Sequence, residues 1–160
     1  RGGTAALVGL NAKNATAGNA VKAALLATMF NLRIGSEALD AQGFPRTEII
    51  LTGGLTRTPE LGQILADVFD TPVVVPVVAA EGCAWGAAVM AKFRQAYISG
   101  ESPEWPTFLD EHVSEGRTRF EPNPAGVKEY ERGFERYRRL VEANGVLAAA
   151  LDGTPAEQGA

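Results

Sequence analysis

The residues best suited to hold a ligand lie in the run Glu48-Ile49-Ile50-Leu51-Thr52-Gly53-Gly54-Leu55-Thr56-Arg57-Thr58-Pro59-Glu60-Leu61. A short β-rich stretch stops at Gly53-Gly54, where missing Cβ atoms let a backbone or a ligand approach closely. Thr58 reads as a helix N-cap, Pro59 as the first helical position and Glu60 as an acid in the positive first turn. Strand, tight glycine turn and helix N-terminus together make a recurrent nucleotide-binding geometry. A plain connection between a strand and a helix would use the same two glycines. The turn lacks the Gly-x-Gly-x-x-Gly spacing and downstream acid of a dinucleotide fingerprint, which argues against a Rossmann-like domain.

Other reactive side chains carry less. His112 stands alone, without a cysteine or second histidine at ligand spacing, so no metal site is expected. Cys83, near a helix start, reads as a small buried hydrophobe rather than a thiolate. Asp67 on a helix and Asp40 near a helix end read as solvated surface carboxylates. Trp85 and Trp105 read as packing residues, because no basic groove accompanies them. Arg132, Arg136, Arg138 and Arg139 alternate with Glu129, Glu131, Glu135 and Glu142, the pattern of a solvated helix face with i,i+4 pairs.

These side chains need a scaffold, and the bulk numbers allow one. A chain of 160 residues, 46% apolar and 21% charged, can bury a core as an ordinary globular protein. Its net charge of −4 provides no basic field for nucleic acid or anionic lipid. One cysteine excludes an internal disulfide and favours a reducing cytoplasm. Neither a membrane span nor a signal peptide is visible. The start at Arg1-Gly2-Gly3, without methionine, suggests a piece of something larger.

The pattern predicts alternating helices and strands. Thr4 to Leu10 suggests a short strand. From Ala17 to Ala41, the set Val21, Leu25, Thr28/Met29, Leu32 and Leu39 recurs at helical spacing, and Gly43 and Pro45 stop it. Ile49-Ile50-Leu51 reads as a buried strand. Leu61, Ile64, Leu65, Val68 and Phe69 form the inner stripe of the next helix, which turns at Asp70-Thr71 into a second strand, Pro72 to Pro76. Glu81 opens a helix to Tyr97, in which Gly82 and Gly86 imply close packing against the strand ending at Gly53-Gly54. Ser99 to Pro122 reads as irregular, with a helical turn from Phe108 to His112. Pro124 to Ala143 is a last helix, with Val127, Tyr130, Phe134, Tyr137 and Val141 on one face. A frayed tail follows Asn144-Gly145. The sum is an α/β layer structure in one domain, with two convincing strands and parallel pairing between them.

The order of these features resembles the C-terminal half of FGGY carbohydrate kinases, with xylulokinase-like members the nearest pattern. The resemblance rests on strand, Gly53-Gly54, capped helix ending Ala66-Asp67-Val68-Phe69, strand Pro72-Val73-Val74, and Glu81-Gly82-Cys83-Ala84-Trp85-Gly86-Ala87-Ala88. Arg1-Gly2, Val8-Gly9-Leu10 and the ending Phe120-Glu121-Pro122-Asn123-Pro124 with Tyr130 and Tyr137 also fit. It implies the actin/Hsp70/hexokinase (ribonuclease H-like) superfold: a partial mixed sheet flanked by helices, with the nucleotide-binding domain over 1–143 and a tail over 144–160. It further implies that ATP, with Mg²⁺ held mainly outside this chain, places adenosine against Gly53 and Gly54. Thr58 stands where relatives carry an asparagine that touches adenine, and Glu81, Gly82 and Gly86 match a connecting helix used in domain closure. The catalytic aspartate and sugar pocket would lie elsewhere, so no catalytic residue is expected here and the chain alone would be inactive. Xylulose is the first expectation for the substrate, with gluconate, ribulose, glycerol and related polyols also open, and a homodimer is allowed. The competing reading is a non-catalytic interaction or regulatory module that keeps the superfold.

Overall fold

A computed structural model describes residues 6–101, 103–112 and 116–151. The chain forms two compact units, one comprising residues up to Phe44 together with those from Lys128 onward, the other Pro45–Val127.

The second unit is built on a three-stranded mixed sheet. Strand β1 (Ile49–Ile50) runs parallel to β2 (Val73–Pro76), in register Ile49 with Val73 and Ile50 with Val74. Strand β3 (Arg117–Phe120) pairs antiparallel with the other edge of β2, from Val73 opposite Phe120 to Pro76 opposite Arg117. The central strand is therefore β2. Only one side of β1 is covered: Leu51 is buried, but Ile50 is 65% exposed, so the expected fully buried strand is buried on one face only. The irregular stretch expected from Ser99 to Pro122 contains β3, whose Arg-Thr-Arg-Phe sequence hides a strand behind two surface charges. Arg119 hydrogen-bonds Glu121 (2.6 Å) and, across the sheet, Glu48. These two acids, Glu121 foremost, raise the guanidinium pKa above its ordinary value, and the pair with Glu48 links β3 to the chain entering β1.

Helix α2 (Glu60–Phe69) connects β1 to β2 and packs on β2 and β3. Its expected inner stripe is observed: Leu61, Leu65, Val68 and Phe69 are buried, and Ile64 half-buried. Asp70 ends it in the left-handed conformation, φ 46°, and turns the chain into β2 as expected. Asp67 is the departure. Instead of facing solvent it is 8% exposed, and its Oδ1 accepts from Gln63 Nε2 (2.8 Å) and the Asn123 backbone N–H (2.7 Å). It thereby satisfies a donor at the start of helix α5 (Pro124–Leu151), where a carboxylate also complements the helix dipole. The fit is tight, since a Cβ on Gly126 would stand 2.7 Å from Asp67 Cγ.

Helix α3 (Gly82–Ile98) follows a 3-10 turn at Ala79–Glu81 and packs against helix α4 (Trp105–His112). Phe93 meets Trp105 and Phe108 edge-on, with centroids 4.9 and 5.2 Å away, and His112 stacks on Phe108 at 4.2 Å. Trp105 is a packing residue, as its lack of basic neighbours suggested. Cys83 is exposed rather than buried, because the first turn of α3 is largely solvent-facing.

In the first unit, helix α1 (Ala17–Asp40) packs along α5. Thr16 caps α1, its Oγ1 accepting from the Asn19 N–H at 3.2 Å. The contact is aromatic: Phe30 lies 5.6 Å from both Phe134 and Tyr137, and Arg33 sits 4.1 Å over the Phe134 ring. Charges of α5 pair across to α1, Glu131 with Arg33 at 2.7 Å and Arg138 with Glu37 at 3.5 Å. Helix α5 runs past Asn144-Gly145 without the expected break. Residues 6–10 form no strand; the rest of the expected first strand, and the tail from 152 onward, lie outside the described residues. Among the described residues no helix is long and apolar enough to cross a membrane.

Replacing Asp67 by alanine strips the α5 start of its acceptor and leaves a part-buried N–H unpaired. The expected loss is about 1–3 kcal/mol of unfolding free energy, read by urea denaturation.

Candidate functional site

The glycine turn is built from three segments that meet with almost no side-chain bulk. Gly53 takes φ 83° and ψ −157°, a conformation reserved in practice for glycine. Its N–H donates to the Ala79 carbonyl at 2.7 Å, while its own carbonyl accepts from the Thr56 N–H (3.1 Å) and the Thr56 hydroxyl (2.7 Å). The turn is thus pinned on one side to the loop after β2 and on the other to its own next turn. Alongside, α3 begins pressed against the end of β1: a Cβ on Gly82 would stand 3.0 Å from Thr52 Cβ. The close packing inferred for Gly82 is observed. Gly86 has open space where its Cβ would be, so the second glycine is not explained by packing.

Gly54 differs from Gly53. Its φ is unstrained, it is exposed, and an added Cβ would meet nothing within 4 Å. Among the described residues no neighbour requires the missing side chain there, and the backbone edge is open.

Thr58 does not cap α2. A 3-10 turn (Gly54–Arg57) intervenes, Thr58 is extended at φ −117°, and the α2 N-terminus carries no side-chain cap. The carbonyl of Thr58, not its hydroxyl, closes the first turn by accepting from the Leu61 N–H at 3.0 Å. Its exposed side chain instead borders a hollow of about 190 Å³, lined also by Thr56, Pro59, Leu51, Val75 and Phe120. The hollow needs Gly62, where a Cβ would stand 2.6 and 2.9 Å from Phe120 Cδ2 and Cζ.

Gly53, Gly54 and Thr58 therefore lie along one turn and its rim. Sequence reasoning missed the Ala79 carbonyl that anchors the turn and the Phe120 ring beside the hollow. Only the apolar residue ending Arg117–Phe120 could have signalled the latter. Among the described residues no group of three or more His, Cys, Asp or Glu could hold a metal ion. Such an arrangement can accept a ligand's polar edge against bare backbone.

A strand, a glycine turn and a helix in this order, on a mixed sheet, define an α/β protein as the class. The particular family follows from comparison: the model of the FGGY family of carbohydrate kinases, C-terminal domain, matches residues 2–94, and the chain belongs to that family. Gly53, Gly54 and Thr58 fall inside the match; β3 and α5 fall beyond it. The chain is 33% identical over 119 residues to a ribulokinase from Mycolicibacterium smegmatis, covering 74% of this chain and 20% of that protein. It is 31% identical over 134 residues to a xylulose kinase from Haemophilus influenzae, covering 83% and 26%. The crystal structure of xylulose kinase from Rhodospirillum rubrum superposes with a TM-score of 0.59 at 27% identity, over 85% of this chain and 26% of that one. The chain spans only a fifth to a quarter of the length of these relatives. The fold is the partial mixed sheet flanked by helices that the resemblance implied.

The two glycines should respond differently to substitution. Gly53→Ala forces a side chain into the positive-φ region and is expected to cost about 1–3 kcal/mol of stability. Gly54→Ala should stay within about 0.5 kcal/mol of the parent. Chemical denaturation of both variants checks the contrast.

Proposed function

We propose that this chain is the nucleotide-binding part of an ATP-dependent carbohydrate kinase, with adenosine lying against Gly53 and Gly54 and Thr58 offering a hydrogen bond to the base. The observation that carries the proposal is the exposed Gly54 edge, next to a Gly53 turn held rigid by the Ala79 carbonyl. A side chain at Gly54 would fill space that none of the described residues uses, which suits a position kept bare for a ligand. A bound nucleotide would meet a pre-ordered backbone, so little ordering entropy would be lost on binding.

In this reading residues 1–143 form the nucleotide-binding domain of a cytoplasmic enzyme. The phosphates and Mg²⁺ extend toward a catalytic base and sugar pocket outside the chain. Phosphoryl transfer depends mainly on positioning and charge stabilisation. This chain contributes the first and lacks the base, and so is inactive alone. The whole enzyme transfers the γ-phosphoryl group of ATP to a sugar or polyol hydroxyl. Xylulose is the first candidate substrate, supported by the xylulose kinases among the relatives; the ribulokinase keeps ribulose open.

Calorimetric titration with ATP and ADP, with and without Mg²⁺, tests the site. The parent should bind saturably. Gly54→Val should abolish binding while melting at the same temperature, because its side chain enters open space. Thr58→Ala should weaken binding about 3- to 10-fold, the worth of one hydrogen bond. Parent-like affinity in Gly54→Val would remove adenosine from this turn.

A further inference from the structure

A peptide group between two glycines has little to stop it turning over. Half a turn of ψ at Gly53, from −157°, brings that residue close to the left-handed region, which glycine populates readily and which suits its φ of 83°. Gly54, also without a Cβ, accepts the matching rotation of its φ. Among the described residues nothing lies within 4 Å of where a Cβ on either glycine would stand, so no neighbour opposes the flip by contact. The flip would exchange the directions of the Gly53 carbonyl and the Gly54 N–H, because the two point opposite ways across a planar trans peptide. A ligand lying along this edge would then meet an acceptor where it had met a donor.

Hydrogen bonds must therefore choose the orientation, and Thr56 supplies them. The Gly53 carbonyl accepts from the Thr56 N–H at 3.1 Å and from the Thr56 hydroxyl at 2.7 Å. The bond to the Ala79 carbonyl does not bear on this choice, since it holds the Gly53 N–H, which belongs to the preceding peptide. Of the two Thr56 bonds, the backbone one is the longer and is open to any residue except proline. The hydroxyl bond is the shorter, is part-buried, and needs the short hydroxyl of a serine or threonine. Thr58, two residues on, is extended and exposed and borders the hollow instead. The two threonines thus differ in kind: one is committed to the backbone of the turn, the other to its rim.

We infer that Thr56 is a positioning residue for the nucleotide: its hydroxyl fixes the Gly53–Gly54 peptide in the orientation the ligand meets, and it does not itself touch the ligand. The inference rests on the reading that adenosine lies against this turn. Loss of the hydroxyl bond shifts the balance between the two orientations, and the apparent affinity falls with the fraction of chains left in the competent one.

Two measurements on the intact chain test the role of Thr56. In the proton–nitrogen NMR spectrum the parent should show one sharp Gly54 amide signal. Thr56→Val, of the same shape without the hydroxyl, should double or broaden that signal while those of α2 and β2 stay in place. Thr56→Ser should restore the single signal. Calorimetric titration with ATP should show a loss of about 2- to 10-fold in Thr56→Val and parent-like affinity in Thr56→Ser. A Gly54 signal that stays single and sharp in Thr56→Val would overturn the inference. So would a loss of affinity that Thr56→Ser does not restore, which would assign Thr56 to direct contact with the ligand. In both cases the nucleotide reading stands if Gly54→Val abolishes binding. A parent that binds no ATP, or a Gly54→Val variant that binds it like the parent, would remove that reading and the inference with it.

Discussion

Everything around the glycine turn depends on one backbone conformation, that of Gly53 at φ 83°. It lets the chain leave β1, donate its N–H to the Ala79 carbonyl, and re-enter a tight 3-10 turn within a few residues. A residue with a Cβ would strain the turn and loosen the tie to the loop after β2. That tie brings the start of α3 beneath Thr52, where only a glycine at position 82 fits without displacement. The bare edge at Gly54 is useful because its neighbour is so constrained. An open backbone on a mobile loop would lose more entropy on meeting a ligand.

Features set by local chemistry were legible in the sequence. The buried stripe of α2, the turn at Asp70 and the strand at Val73 all follow from side-chain periodicity and special backbone residues. What escaped was tertiary. Strand β3 is short and half charged, and it becomes a strand because β2 offers it a free edge. Asp67 reads as a surface residue on its own helix, and only the arrival of Asn123 from a distant segment explains its burial. Thr58 has the chemistry of an N-cap, but the 3-10 turn before it rotates the cap position onto Pro59. In the candidate site the two glycines were legible, while the carbonyl that orders them was not, because a backbone acceptor leaves no mark in the sequence.

Helix α1 gives a related lesson. Of its regularly spaced apolar residues Val21, Leu32 and Leu39 are exposed, whereas Met29 and Phe30 are buried, and Phe30 meets Phe134 and Tyr137 of α5. Tilted aromatic contacts and a cation–π contact hold the Phe30 side with few residues. Periodicity therefore marked the helix without marking the face its own chain covers.

The packing of Asp67 against Gly126 bears on how this sequence can change over time. The carboxylate occupies the space that any side chain at position 126 would need, so neither residue is free to drift alone. Alanine becomes acceptable at 126 once position 67 has shortened, and a shorter residue at 67 gives up the acceptor that Asn123 uses. Two sites far apart along the chain thus form an epistatic pair. In a set of related sequences, bulk gained at one should appear only with bulk lost at the other.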